Sequence, residues 1–135
     1  MFRFNYDFKY KEMLFRIKAN PGIYTFGNRS GLGKTYVYRA FLFESVNNNQ
    51  SKVFAYTFDD YQRKLMLTKE IVNSYDIIML DRFDLYYEAY HDLIIELSKN
   101  KAVLLDFKNI PSGYFQNQIG RALVIQMPNE VRVAA

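Results

Sequence analysis

Residues 27–35 read Gly27-Asn28-Arg29-Ser30-Gly31-Leu32-Gly33-Lys34-Thr35, a glycine-spaced loop that ends in a lysine and a threonine. Gly31 and Gly33 allow left-handed backbone and a close approach of the main chain to a ligand, so consecutive N–H groups can converge on an anion. A helix that starts after such a loop adds the positive end of its dipole. The stretch therefore predicts a phosphate-binding loop, in which Lys34 reaches the outer phosphates and the Thr35 hydroxyl binds Mg²⁺.

The first position of this loop departs from the usual spacing of the motif. Asn28 stands where a glycine is usual, and Gly27 lies one place too early. Asparagine tolerates left-handed backbone better than most other residues, so the turn remains feasible. The residues predicted to bind phosphate are Asn28, Arg29, Ser30, Gly31, Leu32, Gly33, Lys34 and Thr35.

Length and composition indicate one globular domain over residues 1–135, with residues 1–20 forming an extended segment and a helix that pack on the core. Half of the residues are apolar, but none of the apolar runs reaches the roughly 18 residues of a membrane span. The start of the chain offers no secretory stretch, and cysteine is absent, which favours a cytoplasmic protein without disulfides. The formal charge of +4 is modest and does not by itself indicate a nucleic-acid partner.

Apolar runs and helical periodicities alternate along the chain. Strands are predicted over residues 22–26, 52–57, 76–81, 102–106 and 122–126. Helices are predicted over about 7–18, 34–46, 61–74, 84–98 and 111–120. This alternation predicts an α/β three-layer sandwich around a five-stranded, mostly parallel sheet whose carboxyl edge carries the site.

Two of the predicted strands have the same form, an unbroken apolar run followed by an aspartate. They are Ile77-Ile78-Met79-Leu80-Asp81 and Ala102-Val103-Leu104-Leu105-Asp106. Unbroken apolar runs are typical of parallel strands that are buried on both faces. Both carboxylates are therefore expected at the ligand-binding edge of the sheet.

The loop at residues 27–35 and the strand ending at Asp81 together resemble the Walker A and Walker B motifs of P-loop NTPases. One strand, residues 52–57, lies between them in sequence, which is similar to the additional-strand group that includes the AAA+ ATPases. The resemblance implies the strand order 5-1-4-3-2, ATP with Mg²⁺ as ligand, and Thr35 and Asp81 as the metal-binding residues. It also implies that the strand after Walker B ends in a polar sensor, here Asp106, Lys108 or Asn109.

The residue after Asp81 departs from that group. Members that hydrolyse ATP well usually have glutamate there to polarise the attacking water, whereas this chain has Arg82, which cannot accept a proton. Asp84, Asp106 or Asp59 could replace it if the fold brings one within reach. The predicted catalytic residues are Lys34, Asp81, Asp84 and Asp106, and the expectation is ATP binding with weak or partner-dependent hydrolysis, the partner being an unknown protein.

Two alternatives remain open at this stage. Asp81-Arg82-Phe83 resembles the Asp-Arg-aromatic motif of thymidylate kinases, and a kinase would place the Asp81 strand directly beside the strand at residues 22–26. A non-catalytic binding module is the other alternative, with the alternating aromatic residues 2–10 stacking single-stranded bases or pairing with a partner's sheet edge. Asp7 lies within that stretch and weakens it as a nucleic-acid surface, so nucleic acid is not the favoured partner.

Overall fold

The computed structural model describes residues 14–25 and 52–107 with their side chains, and residues 123–124 by their backbone. Its elements in chain order are α1 (residues 14–19), β1 (Gly22–Thr25), β2 (Val53–Tyr56), α2 (Phe58–Gln62), β3 (Ile77–Leu80), a 3₁₀ turn (Phe83–Leu85), α3 (Tyr87–Leu97), β4 (Ala102–Leu105) and β5 (Leu123–Val124). The predicted helices over 34–46 and 111–120 lie outside the described residues.

The strands form one sheet in the order β2-β3-β4-β1-β5, and every pairing is parallel. The register aligns Tyr56 with Leu80, Leu80 with Leu105, and Leu105 with Thr25. Strands β1 to β4 thus end at the same level, and the residues that follow them emerge at one edge of the sheet.

This sheet confirms the α/β class but corrects the five-stranded form that the sequence predicted. Four strands of four residues each make up the main part of the sheet in the order 1-4-3-2, which is the predicted relative order of those four. Where a complete fifth strand was predicted over 122–126, the described residues contain only a two-residue pairing of Leu123–Val124 with β1. An apolar run shows that a segment is buried, but it does not fix how many of its residues pair.

The central strands β3 and β4 are covered on both faces. All eight of their residues have no exposed surface. On one face Ile78, Leu80, Val103 and Leu105 share a core cluster with residues of α3. Helix α3 presents Tyr90, Ile94 and Leu97 to this cluster at helical spacing, as its sequence predicted. Each such apolar side chain contributes roughly 1.5–3 kcal/mol by leaving water.

The prediction of a helix over residues 61–74 is wrong. Helix α2 covers only Phe58–Gln62 and begins at a capping box, in which the Thr57 hydroxyl accepts the Asp60 N–H and the Asp60 carboxylate accepts the Thr57 N–H. Arg63 is its C-cap, and Lys64 then has a left-handed backbone with φ 63°. The capping box sets the start of the helix before Tyr61, and the left-handed residue stops it one turn later.

Among the described residues, the longest helix is α3 with 11 residues. None of the helices in this part of the chain is both long and apolar enough to cross a membrane.

Candidate functional site

Asp81 and Asp106 lie side by side at the carboxyl edge of the sheet. Each directly follows a strand, and Leu80 and Leu105 are register partners in neighbouring strands. The Asp106 N–H donates to the Leu80 carbonyl at 3.0 Å, and the Asp81 N–H donates to the Tyr56 carbonyl at 2.9 Å. The backbone of both aspartates therefore continues the hydrogen-bond pattern of the sheet while their side chains reach its edge.

The pKa of Asp81 is raised from its ordinary value of 3.8 to about 6. Burial is the largest cause, and the charge of Asp106 and a hydrogen bond with it come next, while Arg82 acts in the opposite direction. Two carboxylates in one partly desolvated place repel each other, so one of them holds its proton more strongly. A cation placed between the two carboxylates would relieve the same repulsion.

The turn that follows Asp81 is held by Asp106. Arg82 has left-handed backbone with φ 50° and ψ 45°, a conformation that costs non-glycine residues energy. Its N–H lies 3.4 Å from the Asp106 Oδ2 atom, and the Phe83 N–H donates to the Asp106 carbonyl at 2.8 Å. Asp106, which is only 6% exposed, thus accepts from the turn with both its side chain and its backbone.

Arg82 and Asp84 form an ion pair within this turn. The Arg82 Nε atom lies 3.5 Å from the Asp84 Oδ1 atom. The Asp84 side chain is only 8% exposed, whereas that of Arg82 is 37% exposed. The carboxylate that the sequence offered as a replacement base is therefore engaged with the arginine that takes the place of the usual glutamate.

Tyr86 contacts the site from the other side of the turn. Its hydroxyl donates to the Asp81 carbonyl at 2.6 Å and lies 3.4 Å from the Tyr56 carbonyl. Burial and the neighbouring negative charges raise the pKa of this hydroxyl, so it stays a neutral donor. The sequence predicts Tyr86 only as part of a helix over about 84–98, and none of the patterns in the sequence signalled a contact with the residue five positions earlier.

The structure brings three of the predicted site residues to one edge of the sheet, namely Asp81, Asp84 and Asp106. Asp59 lies in α2 beyond the end of β2, where it is exposed and paired with Arg63 at 3.0 Å. The loop residues Asn28 to Thr35, with Lys34, the sensor candidates Lys108 and Asn109, and the aromatic residues 2–10 lie outside the described residues. Their roles remain predictions.

Strand β1 ends at this same edge, shortly before the predicted loop begins in the sequence. Thr25 is buried and aligned with Leu105, and the stretch that begins at Gly27 starts two residues later. Within the part of the chain that the structure describes, the Thr25 hydroxyl has no hydrogen-bond partner. The chain therefore leaves β1 toward residues 27–35 at the level where Asp106 and Asp81 leave their strands.

The chemistry of the edge suits a hard divalent cation. Mg²⁺ is usually bound through one or two carboxylates, with substrate phosphates and water completing its octahedron. Among the described residues there is no group of three or more His, Cys, Asp or Glu side chains placed to hold a metal. Asp81 beside Asp106 fits the carboxylate share of a Mg·nucleotide site, but these residues do not form a complete protein cage.

Strand order separates two of the alternatives that the sequence left open. Strand β4 lies between β1 and β3, so the Asp81 strand is not adjacent to β1. The kinase interpretation required that adjacency, whereas the additional-strand interpretation required an inserted strand.

Comparison of the chain with known protein families and with curated proteins finds no match.

Proposed function

We propose that this chain is a cytoplasmic nucleotide-binding protein of P-loop type that binds Mg·ATP at the carboxyl edge of its sheet. The observation that carries the proposal is the insertion of β4 between β1 and β3, with Asp106 and Asp81 at the ends of β4 and β3. The predicted phosphate-binding pattern follows β1 in the sequence, and β1 ends at that same edge. The resemblance of the two motifs to Walker A and Walker B gives the same assignment.

In this proposal, each residue has a defined share of the binding. Residues 28–35 surround the phosphates with backbone N–H groups, Lys34 neutralises the outer phosphates, and Thr35 and Asp81 hold Mg²⁺. Bound Mg²⁺ draws negative charge away from the outer phosphates and so favours attack on the terminal one. Two strand spacings of about 4.8 Å separate β1 from β3, which would leave room for a metal ion and a phosphate group between Asp81 and the end of β1.

Weak or partner-dependent hydrolysis is the form of activity that the site supports. Arg82 occupies the place of the usual water-polarising glutamate. Asp84 is paired with Arg82, Asp106 accepts from the turn, and Asp59 is paired with Arg63. Because each candidate base already has such an interaction, efficient activation of water requires a rearrangement or a group from a protein partner.

The test compares Mg·ATP binding and turnover in the native protein, in Lys34→Ala and in Lys99→Ala. Lys99 is the matched control because it is exposed and lies before β4, at the opposite edge of the sheet. We expect Lys34→Ala to lose most of the ATP affinity and Lys99→Ala to keep it. Equal affinity in the native protein and Lys34→Ala would reject the loop assignment. Binding without turnover, even with a partner added, would leave a binding protein and reject the ATPase.

A further inference from the structure

The backbone of Asp81 is held on both sides by hydrogen bonds to residues outside β3. Its N–H donates to the carbonyl of Tyr56, the last residue of β2, at 2.9 Å. Its carbonyl accepts the hydroxyl of Tyr86 at 2.6 Å. The position of the Asp81 backbone, from which its carboxylate extends, is therefore set by β2 on one side and by Tyr86 on the other.

The Tyr86 hydroxyl takes the place of a strand hydrogen bond that β2 does not supply. In a parallel pair, a residue whose N–H bonds to the neighbouring strand also accepts there, from an N–H two residues further along that strand. For Asp81 this donor would belong to Phe58, but β2 ends at Tyr56 and Phe58 is the first residue of helix α2. An unsatisfied carbonyl in a partly buried place is destabilising, so the hydroxyl has a defined role there.

The ring of Tyr86 is held firmly enough to fix its hydroxyl. The residue is 3% exposed. Its ring meets the ring of Tyr56 edge to face at 5.7 Å, that of Phe83 edge to face at 5.4 Å, and that of Tyr61 in a stack at 5.2 Å. A side chain packed on several faces has few alternative rotamers, so its hydroxyl stays directed at Asp81.

We infer that Tyr86 is a positioning residue for Asp81, setting the direction in which that carboxylate faces Mg²⁺. The inference rests on the proposed nucleotide function. Tyr86 acts through its hydrogen bond to the Asp81 carbonyl and is not assigned a contact with nucleotide or metal. Groups that orient a metal ligand typically change metal affinity by about 10- to 100-fold when they are removed.

The experiment removes single hydroxyl groups from the same aromatic cluster. Tyr86→Phe keeps the ring and deletes the donor to Asp81. Tyr90→Phe is the matched control, because the Tyr90 hydroxyl accepts the Leu67 N–H at 3.1 Å and lies 3.2 Å from the Tyr56 hydroxyl. For each protein, a fluorescent ATP analogue is titrated without Mg²⁺ and with increasing Mg²⁺, and a urea unfolding curve verifies that it is folded.

We expect Tyr86→Phe to raise the Mg²⁺ concentration for half-maximal binding by about tenfold and to leave Mg²⁺-free binding unchanged. Tyr90→Phe should match the native protein in both. In an Asp81→Ala background, Tyr86→Phe should add no further loss, because the carboxylate that it orients is gone. A merely structural role of Tyr86 would lower stability without this dependence on Asp81.

The outcomes separate this inference from the proposed function. Mg²⁺-dependent binding in the native protein together with an unchanged Tyr86→Phe would overturn the inference alone. An equal shift in Tyr90→Phe, or a further loss in the Asp81→Ala background, would overturn it as well. Absence of Mg²⁺-dependent binding in the native protein would overturn the proposed function and this inference with it.

Discussion

The carboxyl ends of β3 and β4 lie next to each other, and each strand passes into an aspartate. After β3 the chain turns sharply at the left-handed Arg82, and Asp81 remains half-buried. After β4 the chain continues into the buried Phe107, and Asp106 receives two N–H groups from the β3 turn. The same pattern, an apolar strand followed by an aspartate, thus gives two different results. One carboxylate faces the edge of the sheet, and the other supports the turn that follows the first.

The largest expected effect comes from removing the presented carboxylate. Asp81→Ala should raise the Mg²⁺ concentration for half-maximal ATP binding by about 100-fold. This is the upper end of the range for groups that only orient a metal ligand. Asp76→Ala is the matched control, since Asp76 precedes β3 at its opposite end. Titration with the fluorescent ATP analogue measures both. If the two variants behave alike, Asp81 is not the presented ligand.

Removing the supporting carboxylate should mainly affect stability. Asp106→Ala leaves the Arg82 N–H without the Oδ2 acceptor in a nearly buried place, and we expect a loss of about 2 kcal/mol in the free energy of unfolding. Asp106→Asn keeps an oxygen acceptor and should lose less than half of that. Urea unfolding of the three proteins measures the difference. Equal losses in both variants would show that charge matters there and the acceptor does not.

The two carboxylates also predict a pH dependence of stability in the absence of Mg²⁺. The pKa of Asp81 is about 6 in the folded protein and about 3.8 when unfolded, so the folded state holds more protons between those values. The free energy of unfolding should therefore fall as pH rises from about 4 to 6, by about 1.5 kcal/mol once solvent screening of the half-buried group is allowed for.

Urea unfolding across this pH range measures that fall, with Asp81→Asn as the control. The amide resembles the protonated carboxyl in shape and does not titrate, so this part of the pH dependence should disappear in Asp81→Asn. If native stability instead rises through this range by a similar amount, and the variant removes that rise, the repulsion between Asp81 and Asp106 has been assigned the wrong sign.

The smallest expected effect concerns the turn itself. Arg82→Gly and Arg82→Ala both remove the ion pair with Asp84, but only alanine keeps the cost of left-handed backbone. We expect the glycine variant to be more stable than the alanine variant by about 0.5 kcal/mol after the greater entropy of unfolded glycine is subtracted. Lys64, which is also left-handed, should give the same order. Thermal unfolding in which alanine is the better residue at both positions would contradict this.

The sequence predicts those parts of the fold whose environment leaves a periodic trace. Strands β3 and β4 are buried on both faces, so their apolar runs place them to within one residue. Helix α3 has one buried face and was predicted with its start a few residues early, where the structure has a 3₁₀ turn. Of the predicted fifth strand, Leu123 and Val124 pair with β1, and the rest of residues 122–126 lies outside the described residues.

The candidate site was less predictable than the strands that carry it. The positions of Asp81 and Asp106 at the edge follow from the strand ends, but their division of roles depends on the left-handed backbone at Arg82. That conformation is unusual for arginine, and nothing in the sequence indicates it. The contact from Tyr86 depends on where β2 stops, which the capping box at Thr57 determines.

The insertion of β4 between β1 and β3 has a consequence for how the chain reaches its native state. Gly22 pairs with Ala102, so this contact spans 80 positions of sequence, 102 − 22. During synthesis β1, β2 and β3 leave the ribosome before β4, and among the described strands β1 is joined to the β2–β3 pair by strand pairing only through residues 102–105. Contacts of such long sequence separation slow folding. Closure of the sheet, and assembly of its carboxyl edge, is therefore a late event for this chain.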